Sequence, residues 1–411
     1  MTETTWTPNR QGQQRHKKYL LLLASVTLGL GVFLILDFSY SAAKRRYPTP
    51  TASSDSCRMA DPVRHHAFLP NCSASDRWGR ASYDFVTNSL GFRDQRIRQV
   101  PLSDPRPRLL LLGDSFTEGK LPWGDSYAGR ITLHFPQYDV LNGGVASYSP
   151  SNYLNTAKMV LAKGIDIDEV VVFLDISDVQ DEAALYRDAD ATGAVKARLP
   201  EGVVLSGYAL WRTRLSKYFV LTSSVLRSFE QLLVRVGLAY PLFGPWGNVF
   251  DMERAAWSYR SVNQTYFADA GYAPLGAEGG IAKEKAKMTL LWQLLQERNI
   301  PLSVVVYPYP SQLVHDTVDS RQVTIWRKWC QGKCKRFVSV FPAFFAAKDR
   351  CPRLQAGCWY PYLFVFGDFH YNAAGNALVA DAVISSLTEA PPVKRQAIPP
   401  QPEQGQAPGA H

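Results

Sequence analysis

The chain has 411 residues, 46% hydrophobic and 20% charged, with a formal net charge of +9. That balance excludes a disordered, collagenous or wholly membrane-embedded protein, and the length fits one large domain with additions or two ordinary ones. The first 50 residues hold Arg10, Arg15, Lys17, Lys18, Lys44, Arg45 and Arg46 against only Glu3 and Asp37. The remainder lies too near neutrality to replace the counterions of a nucleic acid, so no nucleic-acid partner is expected.

Residues 1–18 form a basic tail, and Tyr19–Leu36 (YLLLLASVTLGLGVFLIL) follows without a charge. At helical rise this run extends about 27 Å, near the hydrocarbon thickness of a bilayer. Two readings stand: an uncleaved single-pass anchor, and a signal peptide cut near Ser41-Ala42-Ala43. The long apolar run favours the anchor. Basic residues flank both ends, with a slight excess before the span, which points to a cytoplasmic N-terminus. All six cysteines (Cys57, Cys72, Cys330, Cys334, Cys351 and Cys358) lie after the span. An even set on one side fits disulfides in an oxidising compartment, so the body is expected in the periplasm or outside the cell. Unpaired buried thiols are the next reading. A metal site from Cys330-x3-Cys334 and Cys351-x6-Cys358 has poor ligand spacing, and no metal is expected.

Residues 47–103 read as a spacer and an N-terminal extension carrying Cys57 and Cys72. A main domain over 104–390 follows. Its apolar runs Arg108–Leu112, Tyr138–Leu141, Glu169–Leu174, Leu302–Tyr307 and Phe337–Phe341 predict strands buried on both faces, hence a parallel sheet. Helical periodicity falls between them at Ser151–Ala162, Lys283–Glu297 and Ala373–Leu387. The alternation breaks at about 181–280, an insertion without a strand run and with a helix over Leu215–Val236. Its apolar content fits packing on the body, a lid, a partner surface or a membrane-facing patch, the first being favoured. Residues 391–411, rich in Pro, Gln and Ala, are expected to be a disordered tail.

The first strand run ends in Gly113-Asp114-Ser115-Phe116-Thr117, which sets a serine at the carboxyl edge of a parallel sheet. Near the other end stands Gly367-Asp368-Phe369-His370. A serine nucleophile needs a base, and the base needs a carboxylate to fix its tautomer. Of the seven histidines, His370 is the one in a loop just before a final helix, with Asp368 two residues away.

These motifs resemble those of the SGNH (GDSL) hydrolases over roughly Arg108 to Leu387, with the insertion unmatched. The resemblance implies a flavodoxin-like α/β fold, a three-layer α/β/α sandwich with a central parallel sheet. It also implies acyl hydrolysis or transfer without a cofactor. Ser115 would be the nucleophile, with Asp368 and His370 the rest of the triad. Ser115 N–H and Gly144 N–H would be oxyanion donors. The third motif departs from the family's Gly-x-Asn-Asp and reads Asp175-Ile176-Ser177-Asp178, so Ser177 stands where an oxyanion asparagine is expected. Losing one such donor costs about 3 kcal/mol of transition-state stabilisation.

Arg93 reads either as a substrate-binding residue or as the structural partner of Asp94, the second being favoured. Asp178, with Asp181 and Glu182, forms an acidic cluster that reads as a second carboxylate site or, preferably, a solvated loop. The expected activity is hydrolysis of an O-acyl ester of a cell-envelope molecule, a carbohydrate by preference. The alternatives are an O-acyltransferase for an exported polysaccharide, which would need a membrane-embedded acyl-donor partner, and a catalytically inactive SGNH-fold binding protein.

Overall fold

A computed structural model describes residues 10–46, 54–78, 81–189, 193–197, 215, 218–235, 272–351, 358–365 and 368–395. The chain opens with one long helix, α1 (Arg10–Arg46). It contains the predicted span within an apolar stretch, Lys18–Ala43, long enough to cross a membrane. Its hydroxyls are satisfied locally: Ser25 Oγ donates to Leu21 O and Thr27 Oγ1 to Leu23 O, both at 2.8 Å.

Next come an antiparallel hairpin, β1 (Arg58–Asp61) and β2 (His65–Phe68), and three further antiparallel strands, β3 (Ser73–Trp78), β4 (Ala81–Thr87) and β5 (Arg93–Asp94). The parallel alternation then begins: β6 (Arg108–Leu112), α2 (Ser115–Glu118), α3 (Tyr127–His134), β7 (Asp139–Asn142), α4 (Pro150–Ala162), β8 (Glu169–Leu174) and α5 (Ile176–Gln180). The insertion holds a short hairpin, β9 (Tyr186–Asp188) with β10 (Val195–Ala197), and then α6 (Val220–Arg235). The body resumes with α7 (Gly276–Gln296), β11 (Leu302–Val306), α8 (Pro310–His315) and α9 (Arg321–Cys330). It ends with β12 (Arg336–Ser339), α10 (Phe341–Asp349), α11 (Trp359–Leu363) and α12 (Ala373–Glu389).

Eight strands form one sheet in the order β12-β11-β8-β6-β7-β5-β4-β3. The first five are parallel, with Leu110 opposite both Leu141 and Val170, and β5–β3 add an antiparallel edge. Alternate residues of the central strands feed two separate cores. Leu109, Leu111, Val171 and Phe173 pack with Tyr127 and Ile131 of α3 and Val379 and Val383 of α12. Leu110, Leu112, Val170 and Val172 pack with Leu154 and Val160 of α4, Met288 and Leu291 of α7, and Trp326 of α9. The result is the expected three-layer α/β/α sandwich, and continuous apolar strands are what double burial demands.

Three expectations need correction. The sheet extends through β3–β5 into residues read as a mere extension. The region 181–280 does contain strands, β9 and β10, each of three residues and too short to give a pattern. The tail is not free from Pro391 onward: Lys394 Nζ pairs with Asp166 at 2.7 Å and Asp168 at 3.2 Å, while 396–411 lie outside the described residues. The cysteines pair as Cys57–Cys72, Cys330–Cys334 and Cys351–Cys358. Two compact units result: one holds α1 and α6, and the other begins at Ala52 and holds the remaining elements.

Candidate active site

The turn after β6 is shaped by close approach. A Cβ on Gly113 would lie 1.9 Å from Thr117 Oγ1, and one on Gly144 would lie 2.5 Å from Thr117 Cβ. Only glycine lets α2 fold back this tightly on the strand ends. Asp114 caps α2 by accepting from Phe116 N at 2.9 Å. Ser115 therefore opens the helix, where its N–H has no intrahelical acceptor.

At the other end of the domain, Asn372 caps α12, accepting from Ala374 N at 2.9 Å and Gly375 N at 3.2 Å. Asn376 Oδ1 accepts from Tyr127 N at 3.0 Å, which fixes α12 to α3. The loop ahead of α12 is held by Tyr360, whose hydroxyl accepts from Asp368 N at 2.9 Å and donates to Asp368 O at 2.7 Å. These anchors bring His370 Nε2 to 2.8 Å from Ser115 Oγ and His370 Nδ1 to 2.6 Å from Asp368 Oδ1. An ionised carboxylate only accepts, so Nδ1 carries the proton and Nε2 is left to accept from Ser115. Burial pushes the Asp368 carboxyl up, but its electrostatic interaction with His370 and the hydrogen bonds from the His370 ring and backbone outweigh that, holding it below the usual carboxylate range.

Three aromatic rings enclose the imidazole. Phe369 stacks on it at 4.4 Å, Phe116 lies at 4.9 Å, and Trp78 meets it edge-on at 5.3 Å and 81°. Trp78 comes from the antiparallel edge. Nothing in the sequence marked it, because it lies outside every motif and in a strand of alternating exposure.

The other expected residues are placed differently. Ser177 N and Ser177 Oγ both donate to Asp175 Oδ1 at 2.6 Å, so this hydroxyl is committed to the cap of α5. Gly144 N–H donates to Asn142 Oδ1 at 3.0 Å. Of the three expected oxyanion donors, Ser115 N–H alone is not committed in this way.

Arg93 is fully buried. It donates to the carbonyls of Glu118 (2.7 Å), Gly119 and Leu121 (2.5 Å), whereas Asp94 pairs with Arg98 at 2.7 Å. Arg93 thus does not pair with Asp94; buried, it pins the chain just after α2. Asp178 is buried as well, accepting from Tyr153 OH at 2.7 Å and Asp175 N at 2.9 Å. Glu182 accepts from Ser149 Oγ and Ser151 N at 2.7 Å and pairs with Lys283 at 2.8 Å. The acidic cluster is therefore interior structure rather than a solvated loop. Burial and the neighbouring Asp175 charge raise the carboxyls of Asp114 and Asp178 well above their usual range. Among the described residues, no three His, Cys, Asp or Glu side chains are grouped to hold a metal ion.

A doubly covered parallel sheet thus carries a hydrogen-bonded Ser115–His370–Asp368 series at its carboxyl edge. No family model and no curated protein matches the chain. Solved structures similar to it include an alpha/beta hydrolase enzyme from the metagenome of Lake Arreo, Spain, at 13% identity and a TM-score of 0.35, covering 70% of this chain and 97% of that one. A psychrotrophic esterase from Pseudoalteromonas sp. is similar at 9% identity and 0.33, over 69% and 97%. A member of the lipolytic protein G-D-S-L family from Veillonella parvula is similar at 9% and 0.33, over 68% and 98%. Superposition at that level carries no functional weight; the relay's own distances do.

Proposed function

We propose that the chain is a serine ester hydrolase acting on an O-acyl ester of a cell-envelope molecule, a carbohydrate by preference, with α1 as its membrane anchor. The carrying observation is the Ser115–His370–Asp368 relay. As Ser115 Oγ attacks the ester carbonyl, its proton passes to His370 Nε2. Asp368 keeps the Nδ1 proton in place and stabilises the imidazolium. When the tetrahedral intermediate collapses, Nε2 returns that proton to the departing alcohol oxygen, leaving the acyl group on Ser115. Water then attacks the acyl-enzyme, giving its proton to Nε2, and Ser115 regains a proton as the acid leaves. Ser115 N–H is the oxyanion donor at hand. With Gly144 and Ser177 engaged elsewhere, a slow enzyme is expected.

Three disulfides and the apolar α1 support a body outside the cytoplasm with the N-terminus inside. The engaged Gly144 and Ser177 donors favour a second reading, a binding protein that kept the fold. The two part on one experiment: turnover of a small acetyl ester and labelling by a fluorophosphonate, for the full chain and for Ser115→Ala and His370→Ala. Labelling and turnover that vanish in both variants support the hydrolase. Turnover surviving in Ser115→Ala, or a folded wild-type chain that never labels, overturns it.

A further inference from the structure

Helix α6 is built the wrong way round for a helix of a water-soluble body. Its first turn, Val220 to Thr222, bonds α1 through polar groups, and Ser223 beside it is buried. Asp37 of α1 is itself buried and accepts from Leu221 N at 2.8 Å, Thr222 N at 2.7 Å and Thr222 Oγ1 at 2.6 Å. Val220 N donates to Ser41 Oγ at 2.9 Å. The side turned away is apolar: Leu221, Val225 and Phe229, at i, i+4 and i+8, are 39%, 61% and 52% exposed. A helix in water buries such a stripe.

The position of this helix says what covers the stripe. A carboxylate in an apolar span is costly unless its oxygens are bonded. Asp37 meets that need with the unpaired first-turn amides of α6. It stands six residues before the end of the stretch Lys18–Ala43, about 9 Å along the helix axis. That is the depth of a bilayer's interfacial region when α1 spans it. Aromatic rings gather there, as interfacial anchors do, with Phe38 at 6.5 Å from Tyr218 and 5.9 Å from Phe219. On α1, Ile35 and Leu36 are likewise exposed.

We propose that α6 is an interfacial membrane helix, its Leu221–Val225–Phe229 face seated at the boundary of acyl chains and headgroups in the bilayer that α1 crosses. This rests on the anchor reading of α1. The described cysteines are all in disulfides, so an added cysteine offers one thiol. Full-length Val225→Cys, Phe229→Cys and Ser224→Cys, each carrying an environment-sensitive fluorophore, are placed in vesicles of mixed zwitterionic and anionic phospholipid. Lipids bearing a nitroxide near the headgroup are expected to remove roughly half or more of the emission at 225 and 229, while aqueous iodide acts mainly at 224. Retention in carbonate-washed vesicles with 225 and 229 open to iodide overturns the placement of α6 alone. Shielding from both quenchers, with energy transfer between labelled copies, overturns it in favour of a protein partner. A chain washed from the vesicles overturns the anchor, and the placement of α6 with it.

Discussion

Replacing Asp368 by Asn tests the relay at its least substitutable atom. Asp368 Oδ1 accepts from His370 Nδ1 at 2.6 Å and from His370 N at 2.9 Å. An amide oxygen can keep the backbone contact, so the loop is expected to hold its shape. What changes is the imidazole: it loses a carboxylate, and an amide N–H facing Nδ1 selects the tautomer with the proton on Nε2. That nitrogen then confronts Ser115 Oγ with a donor instead of an acceptor. At an effective dielectric of ~20, the carboxylate attracts an imidazolium at this distance by about 6 kcal/mol. If the amide dipole restores a small part, the loss of about 5 kcal/mol slows turnover by nearly 10⁴-fold, the size seen when the acid of other Ser-His-Asp enzymes is neutralised. The assay is kcat and kcat/KM for an activated acetyl ester, with the fluorophosphonate labelling rate alongside and circular dichroism as the check on folding. A folded Asp368→Asn variant keeping more than about a tenth of the wild-type kcat would refute the relay.

Three further outcomes follow from buried groups. Ser177→Ala is expected to change kcat by less than about threefold, since Ser177 Oγ is spent on Asp175; a loss of 10²-fold or so would restore it as an oxyanion donor. Glu118 is buried, but Lys120 and Arg58 overcome that and hold its carboxyl at about 2. A depressed carboxyl stabilises the fold fully above the usual glutamate range and loses that contribution as the pH falls toward 2. Glu118→Gln should therefore cost about 3 kcal/mol at neutral pH and flatten the acid limb of urea-melt stability between about pH 5 and pH 2. Glu284 is shifted the other way, raised well above its usual range by burial and the charges of Glu182 and Asp175. Its folded form keeps a proton that the unfolded chain gives up, so stability falls as the pH rises above the usual glutamate range. Glu284→Gln is expected to raise the thermal midpoint at pH 8 more than at pH 5, and an equal shift at both would contradict this.

The parallel half of the sheet was legible because its strands are buried on both faces. Runs such as RLLLL and EVVVFL carry a polar residue only at the first position, so no polar alternation blurs the signal. Ser115, Asp368 and His370 were legible because their spacing to strand and helix ends survives without any neighbour's help. The antiparallel edge was not: β3 reads SASDRW, polar at four of six positions and alternating between exposed and half-buried, and its register comes from β4 rather than from its own residues. Arg93 and Ser177 were misread for one physical reason. Each is a polar side chain with several acceptors in reach, and local sequence does not say which wins. For Arg93 the carbonyls after α2 outcompete adjacent Asp94; for Ser177 the Asp175 carboxylate outcompetes an open site.

The edge that sequence concealed bears on where the catalytic domain begins. Glu118, the last residue of α2, accepts from Arg58 Nη2 at 3.0 Å through both oxygens, from Lys120 Nζ at 2.5 Å and from Ala146 N at 2.7 Å. Arg58 adjoins Cys57, whose disulfide to Cys72 fixes the start of β3. The Lys120 ammonium lies 5.2 Å from the Trp78 ring, and that ring abuts His370. A continuous series of contacts thus runs from the disulfide to the nucleophile's helix and back through Trp78 to the imidazole. A cation–ring contact contributes about 0.5–2 kcal/mol and an aromatic pair about 0.5–1.5 kcal/mol, so no single link is decisive. Their cooperation is, because α2 has only four residues and cannot hold Ser115 in place by its own hydrogen bonds. The compact unit that carries the relay starts near Ala52 rather than at residue 104, and the first strand bearing the Gly-Asp-Ser motif is the middle of that unit, not its beginning.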